Sequence, residues 1–126
     1  FETVHHKQNF CAATAEAPGW IAEMRELVGR IDAVLDDLRG GDFSALLRRD
    51  DYTASQAFAR EVRAAGRDGI VYPSVCHVGG ECLAAFYSNV MEVPVQGRHI
   101  AYHWDGARID RIRDLTDDNR IYEITG

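Results

Sequence analysis

The sequence lacks the features that mark several classes of protein. Its 126 residues contain no apolar run near the roughly 20 residues that a membrane-spanning helix needs. Lysine and arginine number 14 against 20 acidic residues, and the resulting net charge of -6 disfavours a nucleic-acid-binding surface. The 3 cysteines are irregularly spaced, which disfavours a disulfide framework and favours a reducing, cytoplasmic environment.

What is present is the composition of a globular domain. Hydrophobic residues make up 46% of the chain and charged residues 27%. This length suits one hydrophobic core, so we expect a single domain over residues 1–126. The chain opens on Phe1 within what resembles the middle of an element, and we therefore expect the protein to extend further toward the N-terminus.

The first segment, residues 1–17, is compatible with a helix. Val4, His5 and Gln8 fall on one face at helical spacing. Pro18 then breaks the pattern, so we expect the helix to end before it.

The clearest helix is predicted over residues 54–65. Phe58 and Val62 belong to its apolar stripe, which is the face that we expect to be buried. Thr53 is a candidate N-cap, and Gly66 is a natural stop at the other end.

The segment between the two helices gives weaker signals. Residues 23–32 alternate in polarity and favour a strand, with a helix as the alternative. We expect a turn over residues 34–38 and a brief helix over residues 43–48, capped by Asp42.

The C-terminal half holds most of the expected strands. Short apolar or alternating runs predict strands over residues 70–72, 82–86, 99–104, 107–115 and 120–125. Ile100, Tyr102 and Trp104 are expected on one face of the third strand, and Pro73 is expected to end the first. Asp105-Gly106 predicts a two-residue hairpin turn, although a helical turn remains an alternative after it. The predicted fold class is therefore α+β, with mostly antiparallel strands and flanking helices.

Ser74 is the first candidate for chemistry, because it directly follows a predicted strand and a proline. A hydroxyl at such a turn can bind a phosphate or a sugar; the alternative is that serine is simply common in turns. No G-x-S-x-G frame surrounds it, so a hydrolase nucleophile is not indicated. Gly79-Gly80 allows a sharp reversal or a close backbone approach to a ligand.

Histidines, cysteines and a glutamate supply weaker candidates. Cys76 beside His77 could form an activated thiol, but adjacent side chains on extended backbone point in opposite directions. Glu81 either contacts a ligand ribose or is an ordinary carboxylate at a strand start. His99 and His103 share a strand face and are expected to be polar surface or rim residues. No CxxC pair or H-E-x-x-H helix occurs, so no metal is expected.

The run DGIVYPSVCHVGGECLAAF, residues 68–86, resembles the C-terminal signature of the RES domain family. That signature is a DGI-apolar-YPS run, a short polar loop, two glycines and an apolar strand. Residues 51–66 resemble the helix that leads into it, and residues 97–115 resemble the tail of longer members. Glu2 and the histidines after it resemble the helical glutamate segment of the family, so the resemblance covers most of the chain.

This resemblance implies the toxin of a bacterial toxin–antitoxin pair, which depletes NAD+ by phosphorolysis or hydrolysis of the nicotinamide–ribose bond. NAD+ is then the substrate, with phosphate or water as the acceptor. The resemblance further implies a fold similar to that of ADP-ribosyltransferase toxins and an Xre-type antitoxin as protein partner. A homo-oligomer is compatible with it.

The family is named for an arginine, a glutamate and a serine, and the resemblance places the last two at Glu2 and Ser74. The implied role of Glu2 is to stabilise positive charge on the ribose, and that of Ser74 is to bind the cofactor. The other residues implied to lie near NAD+ are Tyr72, His77, Gly79 and Gly80.

The family arginine has no match in this chain, because it lies upstream of the glutamate together with a tyrosine. Cys76 also departs from the pattern, since a basic residue is common there, and His77 is the nearest substitute. Three interpretations stay open. The chain belongs to an NAD+-degrading enzyme with a further N-terminal portion, or it is a truncated, inactive RES module that binds an antitoxin or a nucleotide. The third and most distant is a thiol-dependent enzyme built on Cys76 and His77.

Overall fold

The computed structural model describes residues 1–125, which form two compact units. The first unit contains residues 1–28 and the residues from 94 onward, and the second is Gly29–Val93. No helix among the described residues is long and apolar enough to cross a membrane. A single domain over residues 1–126 stays a prediction.

Two helices and seven strands make up the described residues. The helices are α1 (Glu2–Thr14) and α2 (Thr53–Ala64). The strands are β1 (Gly19–Val28), β2 (Asp36–Asp37), β3 (Gly69–Pro73), β4 (Glu81–Ala85), β5 (Val95–Trp104), β6 (Ile109–Asp114) and β7 (Arg120–Glu123). A short 3-10 turn covers Ser88–Val90. Only β2 and β3 pair in parallel, so the predicted α+β class with mostly antiparallel strands is confirmed.

The first unit is a four-stranded antiparallel sheet in the order β1-β5-β6-β7. Alternation along β5 turns Ile100, Tyr102 and Trp104 toward one face, as the sequence predicts. Helix α1 covers this face, where its Val4 and Cys11 join the core. Burial of one helix stripe against one sheet face therefore accounts for this unit.

Strand β1 confirms the preference for a strand over a helix but not the predicted bounds. It begins at Gly19 and ends at Val28, whereas residues 23–32 were expected. Ile21 and Ala22 face the core, and Leu27 is 61% exposed. The predicted alternation was misplaced because the register between β1 and β5 is irregular at two positions.

His103 is half-buried within a network of charged and aromatic side chains, which suits the predicted rim position and not an open surface one. Its Nδ1 is 2.6 Å from the Asp110 carboxylate, and the Arg111 Nη2 lies 3.1 and 3.2 Å from its two ring nitrogens. Trp20 meets the imidazole edge-on. The hydrogen bond from His103 lowers the pKa of Asp110. These contacts join β5 to β6 where Asp110 interrupts their register.

The second unit contains the three-stranded sheet β2-β3-β4 and helix α2. Val62 of the helix packs with Leu38 and Ile70, and Phe58 is partly buried against them, as its predicted stripe requires. The turn expected over residues 34–38 was wrong, since β2 pairs with β3 there. A two-residue strand is too short for sequence periodicity to detect.

The ends of the second unit lie against each other. Ile31 and Met91 form an antiparallel bridge, and the Glu92 N–H donates to the Arg30 carbonyl at 3.0 Å. In the first unit, Val28 of β1 and Val95 of β5 are direct partners. The chain thus leaves and rejoins the first sheet at neighbouring positions.

Three local details differ from the predicted turns and caps. Residues 43–48 form a single turn instead of a helix, with the Asp42 carboxylate accepting the Ser44 N–H. The N-cap of α2 is Tyr52 and not Thr53, and the Asp51 carboxylate before it accepts the Thr53 N–H at 3.0 Å. The β5–β6 connection has four residues, in which Asp105 accepts the backbone N–H groups of positions 107 and 108.

We predict that Trp104→Ala lowers the free energy of unfolding by about 3–5 kcal/mol, because it empties a core position. Trp104 is 2% exposed, and its indole N–H donates to the Glu16 carbonyl at 3.0 Å. Urea unfolding followed by circular dichroism measures this change. Trp20→Ala is the matched control: Trp20 is 39% exposed and stacks on Arg113, so about 1 kcal/mol is expected. Equal losses for the two tryptophans would contradict this assignment of the core.

Candidate active site

The candidate site in the second unit is the loop of residues 74–80, here called the Ser74 loop, which joins β3 to β4. Pro73 of β3 is paired with Glu81 of β4, and the loop leaves from this last pair. The Ser74 N–H donates to the Gly80 carbonyl at 2.8 Å and closes the loop. The predicted turn between two strands is therefore present.

The Ser74 hydroxyl oxygen organises the loop from inside. It accepts the backbone N–H of Cys76 at 3.2 Å and that of His77 at 3.1 Å. A serine hydroxyl has two acceptor positions and one proton to donate. With both acceptor positions engaged, the oxygen is poorly suited to act as a nucleophile, whereas its proton can be directed at an acceptor.

The two glycines make the reversal that brings the chain back to β4. Gly79 has a backbone φ of 80°, a value that residues other than glycine rarely adopt. A β-carbon on Gly80 would lie 2.9 Å from the His77 ring, so the loop closes tightly on itself there. The Gly80 N–H also donates to the His77 carbonyl at 3.0 Å. Of the two predicted roles, the sharp reversal is present, and approach to a ligand stays a prediction.

The other residues that are predicted to contact the ligand near Ser74 differ in their exposure to solvent. Tyr72 is half-buried and packs against the core of the second unit beside Ile70. His77 is exposed, and Cys76 is half-buried. Cys76 and His77 lie in a tight loop and not on extended backbone, so the geometric reason first given against a Cys–His couple does not hold.

Glu2 is the first residue of α1 and belongs to the first unit. Its carboxylate is half-buried and lies in the first helical turn, where the partial positive charge of the helix N-terminus favours an anion. His5 turns into the core, with Asn9 at 3.3 Å, while His6 is exposed. A groove of about 370 Å³ beside this turn is lined by Thr3, His6, Lys7, Phe10 and Met24.

Metal ligation has no candidate cluster among residues 1–125. No three histidine, cysteine, aspartate or glutamate side chains lie together there as ligands of one ion would. None of the three cysteines forms a disulfide within residues 1–125, and Cys11 is buried.

A sequence model of the RES domain matches residues 1–105. This chain belongs to the RES domain family. The match includes both Glu2 and Ser74 and ends directly after β5. The RES domain family is associated with NAD+-degrading toxins of toxin–antitoxin pairs. Neither the curated proteins nor the solved structures include a match to this chain.

The RES domain carries one cluster beside the Ser74 loop that sequence reasoning missed. Arg39 directs its Nε and Nη2 at the two carboxylate oxygens of Asp37, at 2.9 and 2.8 Å. Its Nη1 donates to Glu81 at 3.0 Å. We call these three residues the Arg39 clamp. Arg39 and Glu81 are 42 positions apart in the sequence, so no local pattern indicates their contact.

The ion pair between Arg39 and Asp37 stays charged at neutral pH. The hydrogen bonds from Arg39 lower the pKa of Asp37 from 3.8 to about 2. A carboxylate whose pKa falls on folding contributes stability above its unfolded pKa, and that contribution is lost as the pH falls through about 2. The contact between Arg39 and Asp37 is therefore retained throughout the physiological range.

We predict that Ser74→Ala speeds amide exchange at Cys76 and His77 roughly 2- to 10-fold, since each loses a hydrogen bond of about 0.5–1.5 kcal/mol. Hydrogen–deuterium exchange monitored by NMR measures these two amides. Ser74→Thr retains the hydroxyl and should retain the protection. Ser44→Ala is the control in the same unit, because it removes a hydroxyl from an exposed turn. Unchanged exchange at both amides in Ser74→Ala would refute this account of the loop.

Proposed function

We propose that this RES domain protein degrades NAD+ by cleaving the bond between nicotinamide and ribose. The observation that carries the proposal is the family match over residues 1–105, which spans both units. Glu2 and Ser74 are the proposed functional residues, and a separate role is proposed for each.

The proposed task of Glu2 is electrostatic. Loss of nicotinamide leaves positive charge on the ribose ring, as in other cleavages of glycosidic bonds. A carboxylate near the ribose stabilises that charge where it develops. The half-buried position of Glu2 in the first turn of α1 supports this role, because the partial positive charge of a helix N-terminus favours an anion there.

The proposed task of Ser74 is to hold the cofactor. Its oxygen accepts two backbone N–H groups, which restrain the side chain within the loop. The proposed contact is donation of the hydroxyl proton to a ribose or phosphate oxygen of NAD+. We propose that Tyr72, His77, Gly79 and Gly80 contribute to the same binding surface. This assignment makes Ser74 a binding residue and not the attacking group.

The reaction breaks the C–N bond of the nicotinamide riboside, and the bonding electrons leave with nicotinamide. Attack by water gives ADP-ribose and a proton; attack by phosphate gives ADP-ribose 1-phosphate. Either acceptor gives a balanced reaction, and either is compatible with the proposed roles of Glu2 and Ser74. Nicotinamide is released in both cases, so the second product, measured with and without added phosphate, distinguishes hydrolysis from phosphorolysis.

We predict that the purified protein consumes NAD+ and that Glu2→Gln and Ser74→Ala slow this. Removal of a group that stabilises transition-state charge costs about 100- to 1,000-fold, which is the expectation for Glu2→Gln. Loss of a hydrogen bond to a charged ligand costs about 1.5–3 kcal/mol, or roughly 10- to 100-fold, for Ser74→Ala. Nicotinamide release measured by chromatography gives both rates.

Two exposed residues provide the matched controls. Glu61→Gln on α2 and Ser44→Ala make the same chemical changes away from the proposed site, and full activity is expected. Full NAD+ consumption by both Glu2→Gln and Ser74→Ala would refute the site. NAD+ binding with no nicotinamide release would favour the non-catalytic module instead.

An Xre-type antitoxin is the proposed protein partner, and the cytoplasm, where NAD+ and such a partner would both be met, is the proposed location. The association of the family with toxin–antitoxin pairs supports this partner. We further propose one domain over the chain, with a fold similar to that of ADP-ribosyltransferase toxins. We predict that co-expression with its antitoxin gives a complex on size-exclusion chromatography and suppresses NAD+ loss; separate elution with full NAD+ loss would argue against the pair.

A further inference from the structure

The Arg39 clamp joins two strands that do not pair with each other. Asp37 lies in β2 and is the partner of Val71 in β3. Glu81 begins β4 and is the partner of Pro73, the last residue of β3. A single guanidinium therefore spans the sheet from β2 to β4, on both sides of the strand that leads to Ser74.

The clamp lies at the neck of the Ser74 loop, where backbone hydrogen bonds close the loop. The Ser74 N–H donates to the Gly80 carbonyl at 2.8 Å, and the Gly80 N–H donates to the His77 carbonyl at 3.0 Å. Glu81 follows Gly80 directly, so the hold of Arg39 on Glu81 fixes the point where the loop re-enters the sheet.

The geometry of the clamp is of the kind that restrains backbone. An isolated exposed ion pair contributes little, because solvent screens it and the side chains lose conformational freedom. Here one planar guanidinium makes a two-pronged contact with Asp37 and a third hydrogen bond to Glu81, which fixes its orientation. The Arg39 backbone N–H also donates to Asp37 at 2.9 Å.

The charges of the clamp decide between two roles for Arg39. One guanidinium faces two carboxylates, so the cluster has one net negative charge and repels phosphate instead of attracting it. A direct contact with the NAD+ pyrophosphate is therefore disfavoured. We propose that Arg39 is a positioning residue that holds the Ser74 loop in shape for NAD+, an inference that rests on the proposed function where it concerns activity.

The first test does not depend on activity. Arg39→Ala should speed amide exchange at Cys76 and His77 about 2- to 10-fold, the same range as loss of one hydrogen bond. Arg48→Ala is the matched control, because Arg48 forms an exposed pair with Asp51 at 3.2 Å ahead of α2 in the same unit. Its loop amides should exchange as in the parent protein.

The second test asks whether Arg39 acts through Ser74. Arg39→Ala should slow NAD+ consumption about 10- to 100-fold, as small misplacements of a binding group do. In a Ser74→Ala background, Arg39→Ala should add less than about 2-fold, because residues that act through one another are not additive. Glu81→Gln removes only one arm of the clamp and serves if Arg39→Ala does not fold.

The outcomes separate this inference from the proposed function. Faster loop exchange in a protein that never consumes NAD+ would retain the clamp and refute the function. An active protein whose Arg39→Ala variant keeps both its exchange rates and its activity would overturn the inference. The inference would also be overturned if Arg39→Ala slowed NAD+ consumption equally in the parent and in the Ser74→Ala background. The same holds if Arg39→Ala sped loop exchange but left full activity, because Arg39 would then not serve catalysis through the Ser74 loop.

Discussion

Pro73 sets the constraint on which the candidate site depends. Pro73 is the last residue of β3, and the chain leaves the sheet after it, so the backbone groups of the loop need partners within the loop. The Ser74 hydroxyl supplies one such partner, because it accepts the N–H groups of Cys76 and His77. A loop that supplies its own acceptor has one preferred shape, and a single preferred shape is what cofactor binding requires.

The two proposed functional residues are held by different kinds of structure. Glu2 lies in the first turn of a helix whose buried stripe packs on a sheet, so its place is fixed by hydrophobic burial around Cys11 and Trp104. Ser74 lies in a polar loop that is closed by hydrogen bonds, and Arg39 contacts Glu81 where that loop re-enters the sheet. Solvent conditions should therefore affect the two differently, because salt screens exposed charges and has little effect on a core contact.

Sequence patterns identified what is local in this fold. The alternation at Ile100 and Trp104, the stop after Pro73 and the reversal at Gly79 each depend on a residue and its immediate neighbours, and all three are present in the structure. The family signature likewise identified Ser74 before its contacts were known.

What sequence could not predict depends on distant partners. Strand β2 exists only because Asp36 and Asp37 meet β3, more than 30 positions later, and two residues carry no periodic signal. Arg39 finds Glu81 by the same route. The bounds of β1 differ from the predicted ones because its irregular pairing with β5 determines which of its residues face the core. Leu27 is exposed as a result.

The second unit departs from the first between Val28 and Val95, which are direct partners on neighbouring strands. Residues 29–93 are thus an insertion at the end of a β-hairpin, and their own ends are tied by the bridge between Ile31 and Met91. Because both ends of this insertion are paired, residues 29–93 can be regarded as a self-contained segment between β1 and β5. Its loops can change in length with little entropic penalty to the first sheet, since the two ends of the insertion are already held together.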